Sequence, residues 1–357
     1  MLVLEVERSG MFTTVQDLGR FGRQMQGVPV AGAMDAPALR LGNILLGNSE
    51  NAAALEITMT GPTLKALSGA ACFAVTGAEA GLSKNGSPLP CWTAHKIQAG
   101  DTLAFTPPRG GARAYLCVTG GFDVPLSMGS RSTYTRGGFG GHEGRALRAG
   151  DVLKTGAWGA NILWAECEGL ACPPALRPSR SPAAPLRVIP GPQDDAFTEE
   201  GVQTFYSSEY AISSSADRMG YRMEGPVIAH KEGADIISDG ICLGSVQVPG
   251  HGQPIVMLAD RQTTGGYTKI GVVCTVDLGS LAQRLPGQKV RFEKTTAAEA
   301  VSLLKKEAEL FENLRQLRAA WRSRPASSSF ASVRGTSGAL RVFVNGQPHQ
   351  VQWEALN

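Results

Sequence analysis

A chain of 357 residues with 43% hydrophobic and 18% charged side chains has enough apolar material for packed cores and too little charge for a disordered chain. Its net charge of +3 makes no case for nucleic acid or an anionic membrane as partner, and no apolar run approaches the roughly 20 residues of a bilayer-spanning helix. Glu5, Glu7 and Arg8 stand where a signal peptide needs an apolar core, so the expectation is a cytoplasmic protein of about two domains.

Short apolar runs over residues 2–6, 54–58, 72–76, 102–105 and 113–118, punctuated by Gly, Pro, Asp and Asn, predict a mainly β chain of barrel or sandwich type. Between the first two runs, residues 34–46 carry apolar side chains at helical spacing, with Asp35 placed to cap the start and Gly47 the end. Asn85-Gly86 predicts a hairpin, because both central positions of a type I′ turn need positive φ. Residues 171–185 are proline-rich and cannot sit inside a sheet, so they read as an extended linker carrying the domain boundary. The expected divisions are a first β domain with its linker over 1–178 and a second over 179–296. An amphipathic helix follows over 297–322, either packed on its own barrel or free to dock in a partner's groove. A flexible linker over 323–339 leads to a terminal hairpin over 340–357, centred on Asn345-Gly346, which must dock to be ordered.

The two halves read as a duplication. Arg20, Gly22, Met25 and Gly27 match Arg218, Gly220, Met223 and Gly225 in register, and two further segment pairs keep the same order. A duplicated pair of domains ordinarily builds one cleft between its halves. The seven cysteines are odd in number, scattered and mostly set in apolar contexts, which reads as reduced core thiols. No metal site is indicated, since neither Cys/His pairs at zinc spacing nor a His-Glu-x-x-His motif occurs. A phosphate-cradling Gly-x-x-x-x-Gly-Lys-Ser/Thr loop and a Gly-x-Ser-x-Gly elbow are absent as well.

Polar density peaks in the second half. Ser215, Asp217, Arg218, Tyr221 and Arg222 form one cluster; Gln247, Gln253, Asp260, Gln262, Thr263, Thr264 and Tyr267 form another, with Gly265-Gly266 permitting close backbone approach. Gln and Thr dipoles beside an Asp–Arg pair suit a small planar amide such as a urea or lactam; the same residues also make an ordinary salt-bridged turn. In the first half Arg131, flanked by Ser130, Ser132 and Thr133, reads equally as an anion holder or a capped turn, and the glycine-rich stretch 137–144 as a lid.

Thr13-Thr14-Val15-Gln16-Asp17-Leu18-Gly19-Arg20, Gly32-Ala33-Met34-Asp35, Gly120-Gly121-Phe122-Asp123-Val124-Pro125, Asp217-Arg218-Met219-Gly220-Tyr221-Arg222 and residues 259–267 resemble the biotin-dependent carboxyltransferase-like family, also called the allophanate hydrolase subunit 2 family. The resemblance covers about residues 1–295 and implies two cyclophilin-like β-barrel domains in tandem. For a stand-alone chain it implies the role of the C-type subunit in an ATP-dependent 5-oxoprolinase. Such a chain would work with B-type and A-type 5-oxoprolinase partner proteins to open the lactam of 5-oxo-L-proline to L-glutamate. ATP would serve the complex, with no site readable in this chain. Two other family roles are a carboxyltransferase moving a carboxyl group from carboxybiotin to urea, which alone would involve biotin, and a regulatory protein that binds a kinase inhibitor. Under the amide-processing readings, Asp217, Arg218, Arg222, Gln253, Asp260 and Gln262 are the expected catalytic residues. Ser215, Tyr221, Gln247, Thr263, Thr264, Tyr267 and Arg131 are the expected substrate contacts. The terminal hairpin is similar to the opening hairpin of a biotinyl carrier domain, without a biotin-bearing lysine after it.

Overall fold

The alternation of apolar and polar residues becomes, in a computed structural model describing residues 1–156, 167–323, 337–344 and 347–354, a mainly β protein with four α-helices among the described residues. Residues 1–322 form one compact unit, and 323–357 a second.

The first half contains β1 (Val3–Arg8), β2 (Phe12–Gln16), α1 (Ala36–Leu46), β3 (Ala54–Thr58), β4 (Thr63–Ser68), β5 (Ala70–Lys84), β6 (Ser87–Pro88), β7 (Ala94–Gln98), β8 (Thr102–Val118) and β9 (Val152–Lys154). These strands form one nine-stranded sheet in the order β2-β3-β8-β4-β1-β9, with β5 branching off β8 to pair with β6 and β7. Among the described residues it does not close as a barrel. The outer edge of β2 is covered by loop backbone instead: Thr133 N–H donates to Val15 O at 3.0 Å and Leu147 N–H to Thr13 O at 2.8 Å. The runs expected at 102–105 and 113–118 are the two ends of the single long β8. Pro107 and Pro108 fit within it because they fall at a register shift between Gly81↔Thr106 and Glu79↔Arg109, where no ladder hydrogen bond is required of them. Asn85 and Gly86 both adopt positive φ between β5 and β6, as their turn demands.

Helix α1 is capped as its sequence reads: Asp35 accepts from Ala38 N–H at 3.3 Å, and Gly47 ends the helix at φ 73. Its Leu39, Leu41 and Leu45 pack with Phe73, Leu116 and Phe122 into the first core. The segment returning to β9 is tied by a bidentate pair, Arg145 Nη1 and Nη2 to Asp151 at 2.8 and 2.9 Å, and Asp151 also accepts from Arg148 N–H at 2.7 Å. The hydrogen bonds from Arg145 hold the Asp151 carboxyl at about 2, against a partial opposing effect of burial. A carboxylate depressed in this way stabilises the fold at neutral pH and loses that contribution as pH falls from its ordinary range toward 2. Asp151→Asn is therefore expected to cost roughly 1–2 kcal/mol at pH 7. The gap to the native chain should narrow below pH ~4, which urea unfolding at both pH values measures.

The second half contains β10 (Leu186–Pro190), α2 (Glu199–Ser207), β11 (Glu209–Ile212), β12 (Gly220–Glu224), β13 (Asp235–Gly240), β14 (Ser245–Gln247), β15 (Ile255–Met257), β16 (Thr264–Tyr267), β17 (Lys269–Val273), α3 (Thr275–Ala282) and β18 (Lys289–Lys294). Seven of these strands close into a barrel, β10-β17-β14-β15-β12-β11-β18, sealed by a parallel pairing of β18 with β10. Strands β13 and β16 form a separate two-stranded ribbon. The barrel core holds Phe205, Tyr210 and Phe292, with Phe205 and Phe292 stacked at 4.4 Å between centroids, and it takes in Met34 from the first half. The proline-rich crossing between the halves is not simply extended: residues Pro174–Leu176 make a 3-10 turn, and Arg180 reaches Asp35.

Helix α4 (Ala297–Arg322) begins at a capping box in which Thr296 N–H donates to Glu299 Oε2 and Glu299 N–H to Thr296 Oγ1. It follows the barrel in sequence, yet its buried Phe311 and Leu314 join the first core, and it touches both α1 and α3. It is thus a strap across both halves rather than a helix laid on its own barrel. In the second unit, β19 (Ser337–Val344) and β20 (Gln347–Glu354) pair antiparallel. Most of the expected flexible linker, and the Asn345-Gly346 turn, lie outside the described residues.

Candidate functional site

A carboxylate between two apolar strand residues must find partners or leave the core. Glu56 lies between Leu55 and Ile57 in β3 and is 1% exposed. Its Oε2 accepts from Met34 N–H at 2.8 Å and from the Tyr115 hydroxyl at 2.7 Å, and its Oε1 accepts from Arg218 Nη1 of the other half. Arg218 turns its remaining edge to Asp260, with Nε to Oδ2 at 3.0 Å and Nη2 to Oδ1 at 2.9 Å, and Nη2 also reaches Gly32 O at 2.6 Å. Burial disfavours the charge on Arg218, but Asp260 and Glu56 outweigh it and raise the guanidinium pKa. Burial, with Glu56 and Asp35 beside it, likewise holds the Tyr115 hydroxyl protonated.

A second branch of the network runs through Arg113 in β8. Its Nη1 donates to the Tyr221 hydroxyl at 2.5 Å and to Ala282 O. The Gln283 side chain accepts from Arg113 N–H at 2.9 Å and donates to Arg113 O at 3.0 Å and to Asp35 at 2.9 Å. Arg113 Nε is left 4.0 Å from Glu56 Oε1, with no hydrogen bond.

In front of this network lies a cavity of about 330 Å³. The first half contributes Phe12, Thr58, Arg113 and Arg136 to its wall; the second contributes Asp217, Arg218, Met219 and Asp260. Arg136 Nη2 meets Asp217 Oδ2 at 3.2 Å, joining the halves at the solvent-exposed rim. Thr58 Oγ1 and Arg113 Nε are both buried without a hydrogen-bond partner among the described residues. Buried polar atoms are ordinarily satisfied, so these two stand out among the residues that line the cavity. The arrangement presents fixed donors to an oxygen that gains charge, which is what amide activation needs. Both Asp260 oxygens are engaged by Arg218.

The structure thus brings Asp217, Arg218 and Asp260 together in one cleft, with Tyr221 behind it. The other expected residues lie elsewhere. Arg222 donates to Ser215 O at 3.3 Å, and the Ser215 side chain is spent on Ser213. Gln253 clasps Gly225 from both ends of its amide, at 2.8 and 2.9 Å, and holds a turn. Gln247 is buried, with Nε2 unpartnered among the described residues; a Cβ on Gly265 would sit 2.9 Å from it and 3.5 Å from Gln262 Nε2, so these two amides gather around that glycine. Thr263 accepts from Ile241 N–H through its carbonyl, while Thr264 and Tyr267 lie exposed on the β13–β16 ribbon. Arg131 faces a different cavity, with Asn48, Asn51 and Asp123; its N–H donates to Asp17 at 2.6 Å and its Nε to Val124 O at 3.0 Å.

Sequence reasoning missed Glu56, Thr58, Arg113 and Arg136 as site residues. The signal for two of them was present: Glu56 and Arg113 are charges set among apolar strand neighbours.

Comparison with known proteins agrees with this architecture. The family model "Carboxyltransferase domain, subdomain A and B" matches residues 26–294. The chain is 40% identical over 304 residues to the C subunit of 5-oxoprolinase from Haemophilus influenzae, covering 85% of this chain and 95% of that protein. It is 39% identical over 324 residues to the C subunit of 5-oxoprolinase from Escherichia coli, covering 90% and 98%. The crystal structure of the K. lactis urea amidolyase superposes with a TM-score of 0.81 at 30% identity, over 87% of this chain and 20% of that one. With the fold, the two-part cleft and the sequence in agreement, the chain belongs to the carboxyltransferase-domain family of subdomains A and B.

Proposed function

We propose that this chain is the C-type subunit of an ATP-dependent 5-oxoprolinase, and that its interdomain cleft holds the lactam amide of 5-oxo-L-proline during hydrolysis to L-glutamate. The observation that carries the reading is sequence identity. The chain is 40% and 39% identical to two proteins named as the C subunit of 5-oxoprolinase, against 33% and 32% to two proteins named as urea amidolyase. A-type and B-type 5-oxoprolinase proteins are its partners in this reading. ATP serves the complex in this reading, with no site for it readable in this chain.

A second reading, carboxyl transfer from carboxybiotin to urea or a related amide, is favoured by the TM-score of 0.81 to urea amidolyase. One assay separates the two. Co-purified partner proteins are given 5-oxoproline and ATP, with and without this chain, and glutamate is measured. Loss of at least about tenfold in glutamate formation on omission is the expected result. Unchanged turnover without the chain overturns the reading and directs the work to urea-dependent consumption of carboxybiotin.

A further inference from the structure

We propose that the cleft selects an amide that also carries a carboxylate, and that Arg136 is the residue that takes this carboxylate. The inference rests on the lactam reading above and deepens it.

It follows from the balance of donors and acceptors. The carboxylates of the cleft are committed. Both oxygens of Asp260 accept from Arg218; Glu56 serves Arg218, Tyr115 and Met34; Asp217 Oδ1 accepts from Met219 N–H at 2.8 Å and Gly220 N–H at 3.2 Å. The donors are not. Arg113 Nε and Thr58 Oγ1 are buried and unpartnered among the described residues. Arg136, with its side chain 55% exposed, makes one hydrogen bond among the described residues, to Asp217 Oδ2, and leaves the rest of its fork open. A donor-rich cleft suits a ligand rich in acceptors. Urea brings more N–H groups than oxygens and matches it poorly. A lactam carrying a carboxylate brings a carbonyl oxygen for the inner donors and a planar anion for the guanidinium at the rim. The Arg136–Asp217 pair then exchanges, with the ligand's carboxylate replacing that of Asp217 in the fork. Because both partners are solvent-exposed, little stability is lost when the pair opens.

The experiment is equilibrium binding by calorimetry or ligand-observed NMR, using the full chain alone and with its co-purified partners. The probes are 5-oxoproline, 2-pyrrolidinone (the same ring without the carboxylate), cyclopentanecarboxylate and urea. Expected is binding of 5-oxoproline about tenfold or more tighter than 2-pyrrolidinone or urea. Arg136→Gln should remove that advantage while leaving 2-pyrrolidinone unchanged, and Arg136→Lys should restore part of it. Asp217→Asn, which keeps an acceptor for the turn but removes the competing charge, should tighten 5-oxoproline. Equal affinity for 5-oxoproline and 2-pyrrolidinone, equal weakening of both by Arg136→Gln, or failure of every carboxylate to bind overturns the proposal. If cyclopentanecarboxylate binds in an Arg136-dependent way while 5-oxoproline is not turned over by the complex, the lactam reading falls and the carboxylate site stands.

Discussion

Replacing Arg218 with methionine is expected to cost about 3–5 kcal/mol of folding stability. The methionine occupies similar space, so the loss is electrostatic. It strands Glu56, which is 1% exposed, and Asp260, which is 4% exposed, without the cation they share. The effect is also expected to be coupled: adding Glu56→Gln to Arg218→Met should recover part of the loss, because one uncompensated carboxylate is then gone. Denaturant unfolding of the four members of this cycle measures it. A loss below about 1 kcal/mol would show the network to be solvated in solution and would remove it as the cement between the halves. Arg136 provides the contrast, since the pair it makes with Asp217 is exposed and its removal should change stability by less than about 1 kcal/mol.

The second large effect lies far from the cleft. Phe311→Ala is expected to destabilise the chain by about 3–5 kcal/mol, although it sits on a helix that is mostly exposed. Phe311 is 1% exposed within the first core, and the Arg40 guanidinium lies 3.8 Å from its ring centroid. Arg40 in turn pairs with Glu50 at 2.7 Å, which also meets Arg315 of the same helix. Truncation of Phe311 opens a cavity and removes the surface on which this charge cluster rests. Val301→Ser on the same helix, at a side chain 51% exposed, should change stability by under about 0.5 kcal/mol. Equal effects from the two substitutions would mean that the strap is not docked through Phe311.

What the sequence revealed follows the range of the interactions concerned. Helix α1, with Asp35 and Gly47 at its ends, the Asn85-Gly86 turn and the extent of α4 were all legible, because caps, turns and amphipathic periodicity act within a few residues. The joining of two expected strands into β8 was not, since a double proline reads as a break unless a bulge in its own strand accommodates it. The site divides the same way. Asp217, Arg218 and Asp260 stood out as a local concentration of charge, and the fold does converge them. Gln253 stood out equally, but its amide is consumed by Gly225, a partner that no local pattern announces. Glu56 and Arg113 escaped notice because their meaning depends on residues more than a hundred positions away, Arg218 and Tyr221.

The parallel seam between β10 and β18 has a consequence for biosynthesis. The first strand of the barrel waits for the last, from Leu186 to its partner Phe292, before the ring can close. At the ordinary pace of about 5–20 residues per second, that interval lasts on the order of 5–20 s on the ribosome. The first half lacks partners in that interval as well, because Glu56 takes Arg218 and Arg113 takes the Tyr221 hydroxyl from the second half, and Phe311 arrives later still. The nascent chain therefore carries incompletely paired polar groups and open strand edges until nearly all of it has been made. This long-range order of contacts predicts slow folding and a dependence on holding chaperones during synthesis.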